Sequence, residues 1–131
     1  MQTADQFGIK WGIPESSLCV TATAAAGAGF TLTLPASAGQ FHYVTNVKIT
    51  KFAAALLVAA AVPVQVTTTN LPGSPIYDFA ADAAPAGSIA IDSVPHGLPF
   101  RSLAAGTATT YVAPAVANVI WRISVWYTVA S

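Results

Sequence analysis

Two histidines and one cysteine are the side chains in this sequence best suited to bind a metal ion or to act as a nucleophile. A zinc site needs three or four convergent ligands, whereas His42, His96 and Cys19 are widely separated along the chain. We therefore expect both histidines to be ordinary surface or turn residues, and we expect no metal site. Cys19 lies in an alternating run, where an unpaired cysteine typically acts as a small apolar residue that is buried or half-buried.

The carboxylates are the second group that could perform chemistry. Asp78 and Asp82 are close enough in sequence to approach one another across a loop, but a glycosidase needs two carboxyl groups on opposite sides of one cleft. Nothing in the sequence fixes such a cleft, and the spaced ligands of a calcium-binding loop are missing. A nucleophile elbow, a phosphate-binding loop and a dinucleotide fingerprint are missing too. The sequence predicts solvated loop acids, no cofactor and no enzymatic activity.

Residues 118–129, with the sequence NVIWRISVWYTV, provide candidates for binding rather than catalysis. The period-2 pattern places Trp121 and Tyr127 on one apolar face of a long strand, and Arg122 and Trp126 on the other. An outward-facing tryptophan beside an arginine is typical of an interface, where both residue types are enriched. Trp126 is therefore expected to lie under the N-terminal segment or in a subunit interface, although a sugar-stacking platform is a third interpretation.

The first fifteen residues form a segment without a regular secondary-structure period. Glycine and proline interrupt it, and between these breaks its apolar residues alternate: Phe7, Ile9, Trp11 and Ile13. We predict an extended arm over residues 1–15 and a single domain over residues 16–131. The arm would dock on its own domain or on a neighbouring subunit, and its four apolar side chains are the candidate contacts.

The composition restricts the partners. Apolar residues make up 54% of the chain and charged residues 8%, with five basic and five acidic side chains. A net charge of zero argues against binding to nucleic acid, which requires a positive field, and scarce charge favours self-association. A single cysteine excludes an intrachain disulfide. No secretory signal is expected at the N-terminus, and the longest apolar run is too short for a membrane-spanning helix.

Short alternating segments separated by turn signals predict an all-β fold. Their number and uneven spacing indicate a jelly-roll or Greek-key β-sandwich of eight or nine strands. Residues 41–51 form the second long strand, with Phe41, Tyr43, Val47 and Ile49 predicted on one face and His42 and Val44 on the other. Residues 53–61, with the sequence AAALLVAAA, are compatible with either a short helical turn or an apolar loop.

Four stretches together resemble a family of small tailed-phage virion proteins, the capsid decoration (cement) proteins. They are HYVTNVKITKF from residue 42, VPVQVTTTNLPGSP from 62, HGLPFRSLAAGTATTYV from 96 and VIWRISVWYTV from 119. The resemblance implies a jelly-roll-type sandwich that forms a homotrimer on the capsid surface. It also implies that the major capsid protein is the partner and that the chain is made in the host cytoplasm.

The expected function is therefore structural: a virion protein that oligomerises and clamps neighbouring capsid subunits, with the Trp11 arm as the clamp. Similar low-charge, threonine-rich and valine-rich strands also occur in fibre tips. A carbohydrate- or receptor-binding β-module of a tail fibre or head fibre is therefore the alternative.

Overall fold

The computed structural model describes residues 18–131, which form eight β-strands and no helix. The predicted all-β class is confirmed. The arm over residues 1–15 lies outside the described residues, and so do its candidate contacts Phe7, Ile9, Trp11 and Ile13. In chain order the strands are β1 (Leu18–Thr23), β2 (Phe30–Leu34), β3 (Phe41–Ala53), β4 (Val64–Thr69), β5 (Tyr77–Phe79), β6 (Ile89–Arg101), β7 (Thr109–Ala113) and β8 (Val119–Ala130).

The strands form two antiparallel four-stranded sheets. The long-strand sheet has the order β1-β8-β3-β6, and the short-strand sheet has the order β2-β7-β4-β5. Each connection between consecutive strands passes from one sheet to the other, except the one from β4 to β5. Neighbouring strands are thus mostly distant in sequence, and two sheets wound in this way share one interior.

The interior consists of the apolar faces of both sheets. Trp121 and Tyr127 of β8 are buried, as the alternating pattern of that strand predicts. The Trp121 ring meets Phe79 of β5 edge to face, with 5.4 Å between centroids. Its indole Nε1 donates a 2.9 Å hydrogen bond to the carbonyl of Pro114, so the buried tryptophan has no unpaired polar atom. This contact joins the two sheets at the start of β8.

A β-bulge in β3 overturns the predicted faces of that strand. The register with β8 and β6 shifts between Val44 and Asn46, so a strict period of two fails at Thr45. His42 and Val44 point inward before the bulge, and Val47 and Ile49 point inward after it. Phe41 and Tyr43, predicted on the same face as Val47 and Ile49, are instead half-buried on the outer face.

Three further predictions need correction or completion. Cys19 is exposed rather than buried, because β1 is an edge strand and its partner there is Trp126 on the outer face. His96, predicted to be an ordinary surface or turn residue, lies within strand β6 rather than in a turn, and residues 96–99 bulge out there opposite Thr45. Residues 54–63 form an irregular apolar loop between β3 and β4, and not a helical turn.

We predict that Trp121→Ala lowers the free energy of unfolding by about 3–5 kcal/mol, because it opens a cavity between the sheets and leaves the Pro114 carbonyl unpaired. Urea denaturation followed by circular dichroism measures this loss. Trp126→Ala serves as the matched control, since Trp126 is half-buried on the outer face and its removal leaves no closed cavity. Equal losses for the two variants would contradict the central role of Trp121.

Candidate functional site

The predicted contact residues of β8 lie on the outer face of the long-strand sheet. Arg122 is exposed, and its Nε donates a 3.1 Å hydrogen bond to Thr23 Oγ1 on β1. Trp126 is half-buried and pairs in register with Cys19 of β1 and Asn46 of β3. Both side chains thus lie on the outer face of the central strand β8, next to the edge strand β1, as the period-2 pattern predicts.

An apolar corner, which the sequence analysis did not identify, occupies the same outer face. Ile120 of β8 pairs with Phe52 of β3, and Phe52 pairs with Ile89 of β6. The three side chains therefore form one row across the sheet, and Ile89 is 59% exposed at its edge. Together with Thr50 and Arg122 they line a shallow cavity of about 300 Å³. The corner depends on the register in which β3 pairs with β6 and β8, because this pairing brings together residues that are far apart in the chain.

His42 is not a surface histidine, and that prediction was wrong. The ring is buried, with Nε2 at 2.8 Å from the Pro35 carbonyl and Nδ1 at 2.8 Å from Thr109 Oγ1. A carbonyl only accepts hydrogen bonds, so Nε2 carries the proton and Nδ1 accepts from the Thr109 hydroxyl. Thr109 Oγ1 in turn accepts from Asn70 Nδ2 at 3.2 Å. Both ring nitrogens are occupied, so His42 acts as a structural link between the sheets.

His96 has a different environment on the bulged part of β6. Its ring stacks on Phe100 with 5.2 Å between centroids, and its Nε2 has no hydrogen-bond partner within residues 18–131. Partial burial lowers the pKa of His96 below its usual value. In the described part of the chain, no three side chains of His, Cys, Asp or Glu come together to hold a metal ion.

Two buried tyrosines, Tyr77 and Tyr111, have raised pKa values. Their rings lie 6.4 Å apart, with Tyr77 on β5 and Tyr111 on β7. Burial raises the pKa of Tyr77, and the negative charge of Asp92 raises it further. Burial raises the pKa of Tyr111 strongly, with a smaller contribution from Tyr77. Both phenols stay protonated at neutral pH, so neither acts as a base or a phenolate nucleophile there.

The β3–β4 loop, residues 54–63, forms a second apolar surface at the end of the sandwich where β3 finishes. Leu56, Val58 and Val62 are 65%, 84% and 68% exposed. A cavity of about 120 Å³ adjoins the loop, and Leu56 and Val58 contribute to its lining. Lys51 also lines it; this lysine is 6% exposed and its Nζ donates a 2.7 Å hydrogen bond to the Ala80 carbonyl. We call this region the loop-end surface.

We predict that Thr109→Val lowers the free energy of unfolding by about 1–3 kcal/mol, because it leaves His42 Nδ1 and Asn70 Nδ2 without this partner. Thr69→Val is the matched control, since the Thr69 hydroxyl makes its 2.6 Å hydrogen bond to Thr110 in an exposed position. We expect that change to stay within about 0.5 kcal/mol. Chemical denaturation of the two variants measures the difference, and similar losses would contradict a structural role for the His42 link.

The surfaces of residues 18–131 therefore present apolar and aromatic side chains rather than clustered reactive groups. The described residues contain no helix that is long and apolar enough to cross a membrane. In comparisons with known proteins, no family model, no curated protein and no solved structure matches this chain.

Proposed function

We propose that this protein is a structural virion component, a capsid decoration (cement) protein that oligomerises on the capsid surface and clamps neighbouring subunits of the major capsid protein. The observation that carries the proposal is the outer face of the long-strand sheet. That face carries Trp126, Arg122 and the corner of Phe52, Ile89 and Ile120, with Ser124 and the exposed Lys48 between Trp126 and Arg122. Such patches on a protein surface mark interaction sites.

The strand order supports the same proposal. Eight strands in the orders β1-β8-β3-β6 and β2-β7-β4-β5, with nearly every connection crossing between sheets, fit a jelly roll wound from two Greek keys. This architecture is common in viral capsid proteins. The scarcity of charge across the chain fits a protein that works in an assembly, because few charges must be desolvated when its surface is covered.

The arm has a geometric role in the proposal. The described chain begins at Leu18 on edge strand β1, next to Cys19, which pairs with Trp126. The seven residues from Leu18 back to Trp11 can span up to about 23–25 Å when extended. Trp11 can therefore reach the Arg122–Trp126 surface of its own domain or extend to a neighbouring subunit, as a clamp requires.

A carbohydrate- or receptor-binding module of a phage fibre is the second candidate, and one observation favours it. Asn46, which pairs with Trp126 in register, has a buried Oδ1 without a hydrogen-bond partner among residues 18–131. An aromatic ring with a few fixed polar groups is the usual composition of a small-ligand site. The cavity on this face, however, is lined mostly by aliphatic and aromatic carbon from Phe52, Ile89 and Ile120, which favours a protein partner.

We predict that deleting residues 1–14 leaves the β-domain folded but abolishes docking on the capsid, because the apolar arm side chains are the proposed clamp. Co-sedimentation with capsids assembled from the major capsid protein measures docking, and thermal unfolding confirms the fold. Full-length protein with Asp5→Asn and Glu15→Gln is the control, which changes arm charge without removing Trp11. Undiminished capsid binding by the deleted protein would refute the clamp.

Trp126→Ala is expected to weaken capsid binding at least tenfold while lowering the free energy of unfolding by no more than about 2 kcal/mol, since the ring is half-buried and not in the core. The capsid titration and urea denaturation are run on the same preparation. A loss of several kcal/mol with unchanged binding would assign Trp126 to the core. Glycan binding that disappears in Trp126→Ala would instead favour the fibre module.

A further inference from the structure

Lys51 is a charged residue on the inner face of β3, where its neighbours are apolar. Those neighbours, Ile49 and Ala53, belong to the buried core, and Lys51 itself is only 6% exposed. In register it lies between Trp121 of β8 and Ala90 of β6. Lysine is almost never buried to this extent unless its charge is paired, so the contacts of its ammonium group determine what this position can do.

The ammonium group of Lys51 has one hydrogen-bond partner within residues 18–131. Its Nζ donates a 2.7 Å hydrogen bond to the Ala80 carbonyl, and no carboxylate of the described residues forms an ion pair with it. An ammonium group has three donors, and a buried charge is costly when no opposite charge balances it. This group therefore has further hydrogen-bonding capacity and a positive charge to offer to an anion.

Lys51 lines two neighbouring cavities, which share Leu57 and Asp82 in their lining. One is the cavity of about 120 Å³ beside the β3–β4 loop, and the other has a volume of about 330 Å³. Pockets for small molecules range from ~300 to 1,000 Å³, so the larger cavity has room for a small ligand. Of the nine residues that line it, only Lys51, Asp82 and Ser88 are polar, and the others are Leu, Ile, Ala and Pro.

Backbone hydrogen bonds fix the walls of the larger cavity. Leu57 and Ala84 exchange two of them, at 2.8 and 3.3 Å, and the amide of Gly87 donates to the Ala53 carbonyl at 2.7 Å. Leu57 is also buried, which holds the β3–β4 loop against the core. Walls that are already ordered lose little conformational entropy when a ligand binds, so this cavity needs no large rearrangement to accept one.

The lining selects a ligand with one negative charge and an aliphatic body. Lys51 is the only cation that lines the cavity, so a single carboxylate matches its charge, whereas a phosphate group would carry more charge than one ammonium balances. Asp82 further disfavours a strongly charged anion. The hydroxyl of Ser88 already donates a 2.7 Å hydrogen bond to the Pro85 carbonyl, and the remaining walls are apolar, which favours an aliphatic chain behind the carboxylate.

We propose that the larger cavity binds a short-chain aliphatic carboxylic acid as its anion. The carboxylate pairs with Lys51 Nζ, and the aliphatic chain packs against Leu57 and the other apolar residues of the lining. Each methylene group that the cavity buries strengthens binding by about fourfold, while the negative charge of Asp82 weakens it. This site is separate from the proposed capsid contact, which uses Trp126 and Arg122 on the outer face.

Titration of isotope-labelled full-length protein with sodium butanoate, followed by NMR, tests the proposal. We expect saturable shifts in the amide signals of residues 82–84 and 88–90, which line the cavity. Acetate should bind roughly tenfold more weakly, because it buries two fewer methylene groups. Butanamide is the control ligand: it has nearly the same shape without the charge, and should bind more weakly than butanoate by about tenfold or more.

Three variants assign the binding to the cavity. Lys51→Gln should weaken butanoate binding by about tenfold or more, because it removes the positive charge. Lys48→Gln is the matched control, since Lys48 lies on the same strand but is exposed on the outer face, and it should change the affinity by less than about twofold. Asp82→Asn should strengthen binding by about two- to fivefold, because a like charge no longer repels the carboxylate. Thermal unfolding checks that each variant is folded.

Several results would overturn the site. They are the lack of saturable shifts with butanoate, equal binding of butanoate and butanamide, and equal losses of affinity in Lys51→Gln and Lys48→Gln. An Asp82→Asn protein that loses stability and gains no affinity would identify Asp82 as the counter-ion of Lys51, which would also refute the proposal. If Lys51→Gln does not fold, the comparison of the two ligands and the Asp82→Asn variant decide the question.

Discussion

The β-bulge at Thr45 determines which side chains of β3 face the core on either side of the bulge. Side chains alternate along a strand, so one extra residue reverses the phase of everything beyond it. Here the bulge lets His42 and Val44 point inward at one end of β3, and Val47 and Ile49 point inward at the other. Thr45 Oγ1 donates a 3.0 Å hydrogen bond to the Trp126 carbonyl, which fixes the bulge against the central strand β8.

Because of this change in phase, the two ends of the sandwich are built differently. The end near the start of β3 is held by a polar network: His42 joins Pro35 and Thr109, its backbone amide bonds Ser102 Oγ at 3.0 Å, and Asn70 bonds the loop at Ala104. Asn70 adopts a positive φ of 61°, which asparagine tolerates better than most residues. Without the bulge His42 would point to solvent and this network could not form.

The end near the finish of β3 is closed by apolar side chains instead. Leu57 enters the core from the loop, while its neighbours Leu56 and Val58 are left outside it. The outer face of the same region adds Phe52, Ile89 and Ile120. A chain with so few charges cannot cover all its surface with solvated groups. In the described residues, exposed apolar side chains occur at this end, as Leu56, Val58 and Val62, and also elsewhere, as Leu98 and Leu103. The proposed contact with the capsid uses the outer face of the long-strand sheet.

The sequence by itself determined the all-β class, the two faces of β8 and the exposure of Arg122, because local alternation alone decides these features. It also placed Trp121 and Tyr127 in the core and Trp126 outside it. It could not place Phe41, Tyr43 or His42 correctly, since a bulge is set by pairing with two neighbouring strands and leaves no mark in the alternation. Only the tertiary structure assembled Phe52, Ile89 and Ile120 into one row, because these residues come from three strands that register brings together. It also decided that residues 54–63 form a loop, whose conformation depends on hydrogen bonds to residues 81 and 84 rather than on its own helix propensity.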